Sequence, residues 1–148
     1  MLLVACGAAS APPARPEPDD LWIDNARSFI GTLDSEVLMS AVGGANRPSA
    51  RRALGDESDV YTMLVAYDLF GDCGPALANL GAAGPRVASV VGTLISACGR
   101  LEHATTLFER AMRTREARPL LAASRMVLTA APLLSRASSE LAALDGDQ

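Results

Sequence analysis

His103 is the only histidine in the chain, and it bounds the chemistry this sequence can support. Zinc proteases of the His-Glu-x-x-His kind are excluded, as is any centre needing two imidazole ligands from one chain. Glu102 and His103 are adjacent, so on a helix they point in different directions. The Glu-x-x-His pairs of di-iron bundles keep their ligands on one face. No Cys-x-x-Cys-His run offers covalent haem attachment, and no Gly-x-Ser-x-Gly elbow presents a nucleophilic serine. The remaining candidate for a polar pocket is Asp68, set among Leu64, Val65, Ala66, Tyr67, Leu69 and Phe70. A carboxylate facing the interior needs a cation, and Arg100 or His103 would serve, with Tyr61 completing the pocket. The competing expectation puts Asp68 on the polar edge of its helix, near Asp72, and His103 at the surface. No catalytic residue, cofactor or metal is assigned.

Glycines 71, 74, 81 and 84 do not form a phosphate loop, because no strand precedes them and the chain has no lysine. They read as helix punctuation. The densest basic group is Arg110, Arg113, Arg115 and Arg118, where a helix is expected to end. Cations there complement the negative end of the helix dipole. An anionic partner is the other reading. In an up-down bundle the group lies at the end away from the N-terminus, so membrane headgroups are not its expected partner.

Cys73 and Cys98 would pair if the domain is exported to an oxidising compartment. Closing that loop would stabilise the fold by roughly 3–4 kcal/mol. A simple hairpin turning near Ala82 and Ala83 leaves Cys73 about one and a half turns out of register with Cys98. The break at residues 71–75 must absorb that offset. The alternative is two small buried thiols, with Cys98 on the core seam.

Cys6 follows Leu3, Val4 and Ala5, and this short segment resembles the lipobox of bacterial lipoproteins. The resemblance implies export, acylation of Cys6 and a membrane anchor on the outer side of the cytoplasmic membrane. Residues 7–18, GAASAPPARPEP, hold no large apolar side chain and suit an extended tether. Only five residues precede Cys6 and none is basic, so the signal is truncated or the true start lies upstream of Met1. The other reading is a ragged terminus with an incidental cysteine.

These groups must be positioned by helices. Asp19 and Asp20 suit a helix start, and Ile23, Ala26, Ile30, Leu33 and Val37 then recur at steps of three and four. The element is expected to run to Gly43 and Gly44, with Trp22 and Phe29 widening its apolar stripe. A second helix is predicted from Asp56 or Ser58 to Phe70, with Val60, Tyr61, Leu64 and Tyr67 inward. Residues 49–54 form a weaker lead-in, and 75–80 a short continuation. A third helix starts at Gly84-Pro85 and carries the seam Val87, Val91, Leu94, Cys98, Leu101, Thr105, Phe108 and Met112. Val90, Ala97, Ala104 and Ala111 run beside it. The fourth mirrors it with Leu120, Ala123, Val127, Ala130, Leu134, Ala137, Leu141 and Leu144, and Pro132 should kink it. No segment alternates as a strand does. The fold class is all-α, an antiparallel up-down-up-down four-helix bundle over residues 19–148, tethered through residues 1–18.

The bulk composition agrees. Aromatic residues are 4% of the chain, so the core must be aliphatic, which suits helices. The net charge of −4 and a pI near 4.9 argue against a nucleic-acid partner. All 13 basic residues are arginine, a pattern of GC-rich bacterial coding rather than of function. No stretch approaches the roughly 20 apolar residues that span a bilayer, so any membrane contact is through Cys6. Residues 61–70 read as core. The expected function is a non-enzymatic, lipoprotein-like domain of the cell envelope that binds a protein or small molecule. The alternatives are a small ligand-binding or enzymatic bundle around Asp68 and His103, and a cytoplasmic helical interaction domain.

Overall fold

The computed structural model describes residues 18–42 and 46–146, so Cys6 and the expected tether lie outside the described residues, Pro18 apart. Among these residues the chain is all-helical: α1 Pro18–Thr32, α2 Ser35–Ala41, α3 Arg47–Leu54, α4 Glu57–Gly71, α5 Cys73–Ala78, α6 Ala88–Thr114 and α7 Ala117–Gly146. A 3-10 turn, Pro85–Val87, leads into α6. Seven α-helices therefore stand where four elements were expected.

The last two match their seams. Leu94 and Leu101 on α6, and Leu120, Val127, Leu134 and Leu141 on α7, are all buried. Ala97, Ala104 and Ala111 face them with no exposed surface, so the two backbones approach closely. The helices run antiparallel. Near one end the Arg86 guanidinium donates to the Leu144 carbonyl, and Ser89 Oγ donates to Glu140. At the other end only Arg115 and Glu116 separate the helices. Arg115 there takes the left-handed conformation, φ 57°, and its N–H caps the Ala111 carbonyl at 2.8 Å. The α7 helix continues through Pro132. Leu128, whose carbonyl Pro132 leaves without its helical donor, lies on an exposed turn.

The first two expected elements are divided. Asp34 accepts a hydrogen bond from the Val37 N–H at 3.0 Å and so starts a new helix, α2, inside the stretch read as continuous. Asn46 and Asp56 cap α3 and α4 the same way. On α4 the inward face is also rotated from the expected one. Met63, Ala66, Tyr67 and Phe70 are buried, whereas Tyr61 and Leu64 are exposed. All seven α-helices and the 3-10 turn contribute to one apolar core.

Three cross-links fix the register of α4 and α5 against α6. Thr105 Oγ1 donates to the Tyr67 carbonyl at 3.0 Å, and the Gly74 N–H donates to the Glu102 carboxylate at 2.8 Å. Cys73 and Cys98 are joined by a disulfide, their Cα atoms 5.2 Å apart. The expected register offset is absorbed because α4 stops at Gly71 and α5 starts afresh at Cys73, with Asp72 between them. A Cβ at Gly74 would displace the Glu102 carboxylate and so break its hydrogen bond from the Gly74 N–H.

Candidate functional site

Helix α4 is apolar on more than one side. Its inner face fills the core, but Tyr61, Leu64, Val65 and Leu69 are 72%, 42%, 55% and 36% exposed. A solvent-facing helix ordinarily turns a polar face outward, and one that is apolar all round belongs in an interior. The outer face of α4 is thus an apolar surface without a partner among the described residues.

That surface forms one wall of a groove of about 560 Å³. Tyr61, Val65 and Leu69 line it from α4, and Asp72, just past the helix end, continues the row, at steps of four, four and three residues. Val37 and Ser40 line the opposite wall from α2. The placement of α2 is set at its far end, where the Ala41 carbonyl accepts from the buried Tyr67 hydroxyl at 3.0 Å. Ser124 Oγ of α7 donates to the same carbonyl at 3.5 Å. Burial raises the pKa of that phenol, with the Ser124 hydrogen bond opposing it in part. Tyr67 is therefore a neutral strut between α4 and α2.

The groove's charged groups are both acidic. Asp68 and Asp72 line it, and among the described residues neither carboxylate lies within salt-bridge distance of an arginine. They are free to meet a cation brought by a ligand.

The four residues expected to share a pocket do not converge. Tyr61 and Asp68 are both on the groove, seven residues apart on one face of α4. Arg100 and His103 are exposed on α6 and line none of the described clefts. The reason is helical geometry. Ala97, Cys98, Leu101 and Ala104 take the inward positions, which turns Arg100 and His103 to solvent. The interior pocket expected around Asp68 is thus replaced by an open groove, with Asp68 on its exposed edge. Val37, Ser40, Thr62, Val65, Ala66, Leu69 and Asp72 complete the lining and were not assigned to a site from the sequence. The signal was available in the apolar run 61–70, which is too apolar for one buried face.

A second apolar groove, of about 510 Å³, lies over the disulfide between α1, α5 and α6. Ile95, Leu77 and Val91 line it around Cys98 and Trp22. Its carboxylate, Glu102, is already engaged by the Gly74 N–H, so it offers less to a charged ligand. No group of three or more His, Cys, Asp or Glu side chains that could hold a metal ion occurs among the described residues. No helix among them is long and apolar enough to cross a membrane. Comparison with known families, curated proteins and solved structures finds no match.

Proposed function

We propose that this chain is a non-enzymatic binding domain whose docking face is the groove between α2 and α4. The reading rests above all on the outer face of α4, where Tyr61, Val65 and Leu69 stay exposed at helical spacing. Exposed apolar side chains in register are what an amphipathic helix recognises in a groove. Asp68 and Asp72, without a described cationic partner, select a segment carrying Arg or Lys beside its apolar stripe. The preferred occupant is therefore an amphipathic, basic helix of a protein partner.

The domain is read as four antiparallel passes: α1 with α2, α3 through α5, α6, and α7. Opposite running of α6 and α7, joined by a two-residue link, supports this, as do the ties between α4, α5 and α6. The place of action is the cell envelope, with Cys6 as the acylated anchor and residues 7–18 as its tether. The lipobox-like segment and the bonded pair Cys73–Cys98 support that placement, since disulfides persist outside the reducing cytoplasm. Free thiols at both positions in protein taken from cells would favour the cytoplasmic alternative.

A synthetic amphipathic Leu/Lys helix is the probe for the docking face. In a two-dimensional NMR titration its binding should move the amide signals of Val37, Val65, Leu69 and Asp72. Shifts confined to α6 and α7, or none, would refute the groove as the docking face.

A further inference from the structure

We propose that a second cleft, built by Arg47, Arg118 and Arg125, binds a small phosphate-bearing molecule. The cleft encloses about 710 Å³ between the start of α3 and the first turns of α7, and Asn46, Leu121 and Ala122 complete its lining. It shares no lining residue with the groove between α2 and α4. Ion pairs among the described residues engage Arg27, Arg86 and Arg136, and none engages the three arginines of this cleft.

The arrangement concentrates positive charge. Arg47 is the first residue of α3, and Arg118 is the second of α7. Both sit at the positive end of a helix dipole, where acidic residues are the stabilising choice. Neither helix has an acidic residue in its first turn. Three exposed guanidinium groups without a described ion pair and two helix starts thus border one space, with Glu116 immediately before α7. An oxyanion placed there would be met by cations from both α3 and α7. Guanidinium forks match phosphate oxygens two at a time, which favours phosphate over a monovalent ion.

The remaining features narrow the class. A net charge of −4 works against a long polyanion such as nucleic acid and leaves a small anion as the fit. Leu121 and Ala122 give the cleft an apolar wall, so the ligand carries an apolar body beside its phosphate. That chemistry is shared by a free phosphate monoester and by the headgroup region of an anionic lipid. Arg118 and Arg125 lie about two turns apart on one face of α7, and Arg47 meets them from the start of α3.

The test uses phenyl phosphate as the soluble probe, with calorimetry on the full chain at low salt. Vesicles of phosphatidylcholine doped with phosphatidic acid are the second probe, read by co-sedimentation. Saturable binding of phenyl phosphate is expected, weakened about tenfold or more in the double variant Arg118→Gln/Arg125→Gln. Arg113→Gln, which alters a residue outside the cleft, should leave affinity unchanged. Vesicle binding with the same dependence on the cleft arginines, without binding of phenyl phosphate, would also support the site and assign it to lipid. Binding of neither probe would overturn the proposal. So would an equal loss in Arg113→Gln and the double variant, because that would reduce the effect to general surface charge.

Discussion

Tyr67 and Phe108 stack nearly parallel, 8° apart with ring centroids at 4.2 Å, and this pair locks α4 to α6. Phe70 meets the same tyrosine edge-on at 5.5 Å. The Tyr67 hydroxyl reaches α2 through the Ala41 carbonyl, while its own backbone carbonyl accepts from Thr105. One residue thus ties three helices and sets the width of the groove whose walls are α2 and α4.

Tyr67→Phe keeps the stack and removes the strut. Among the described residues the Ala41 carbonyl then retains the long Ser124 contact alone, so a loss of about 1–2 kcal/mol is expected by urea denaturation. Phe108→Ala should cost more, about 3–5 kcal/mol, because it opens a cavity. The phenol also carries a pH dependence. Its folded-state pKa lies above the ordinary value of 10.0, so its contribution is complete below that pH and is lost as pH rises beyond it. Tyr67→Phe should therefore be less alkali-sensitive than the parent, as read from thermal melts at pH 9 and pH 11.

The Cys73–Cys98 bridge closes a span of 25 residues. Reduction, or Cys73→Ser/Cys98→Ser, should lower stability by about 3–4 kcal/mol in the chain-entropy account. The α6–α7 pair should stay helical, since its packing does not involve the bridge directly. Circular dichroism with and without reductant checks both statements.

Glu140 draws α7 to α6 by accepting from Ser89 at 2.7 Å and Thr93 at 2.9 Å, with Arg136 at 3.1 Å beside it. The Ser89 hydrogen bond holds its carboxyl below the ordinary 4.5; burial opposes it, and the Thr93 and Arg136 contacts add to the lowering. A depressed pKa contributes stability above 4.5 that disappears as pH falls through the lower folded value. The group is partly exposed, so screening limits this to about 0.5–1 kcal/mol. Glu140→Gln should be less stable than the parent at pH 7 and indistinguishable from it at pH 2, by thermal melts at both.

The long helices were legible because their apolar residues recur at three and four over many turns, while the remaining faces are polar or small. Leu94, Leu101 and Leu134 are buried as that spacing requires. Helix α4 defeated the same reading. With Val60, Tyr61, Leu64, Val65 and Leu69 added to Met63, Tyr67 and Phe70, spacing alone does not choose a buried face. Contacts from elsewhere choose it, chiefly Phe108 and Thr105 against Tyr67. The division at Asp34 was masked by the stripe from Ile23 to Val37, which continues in sequence across a cap. Tyr61 and Asp68 fell on one site because they are two turns apart on one helix. Arg100 and His103 did not, because the α6 seam claims the inward positions between them. The arginine cleft needed three-dimensional placement, since Arg47 and Arg118 are far apart in the chain.

The groove between α2 and α4 is tested most directly at Val65, whose exposed side chain can change without disturbing the core. Binding of the fluorescent Leu/Lys helix should weaken about tenfold or more in Val65→Asp, with helix content and melting temperature kept. Asp68→Asn/Asp72→Asn should weaken it less and flatten its salt dependence. Equal affinity in Val65→Asp and the parent would contradict the account.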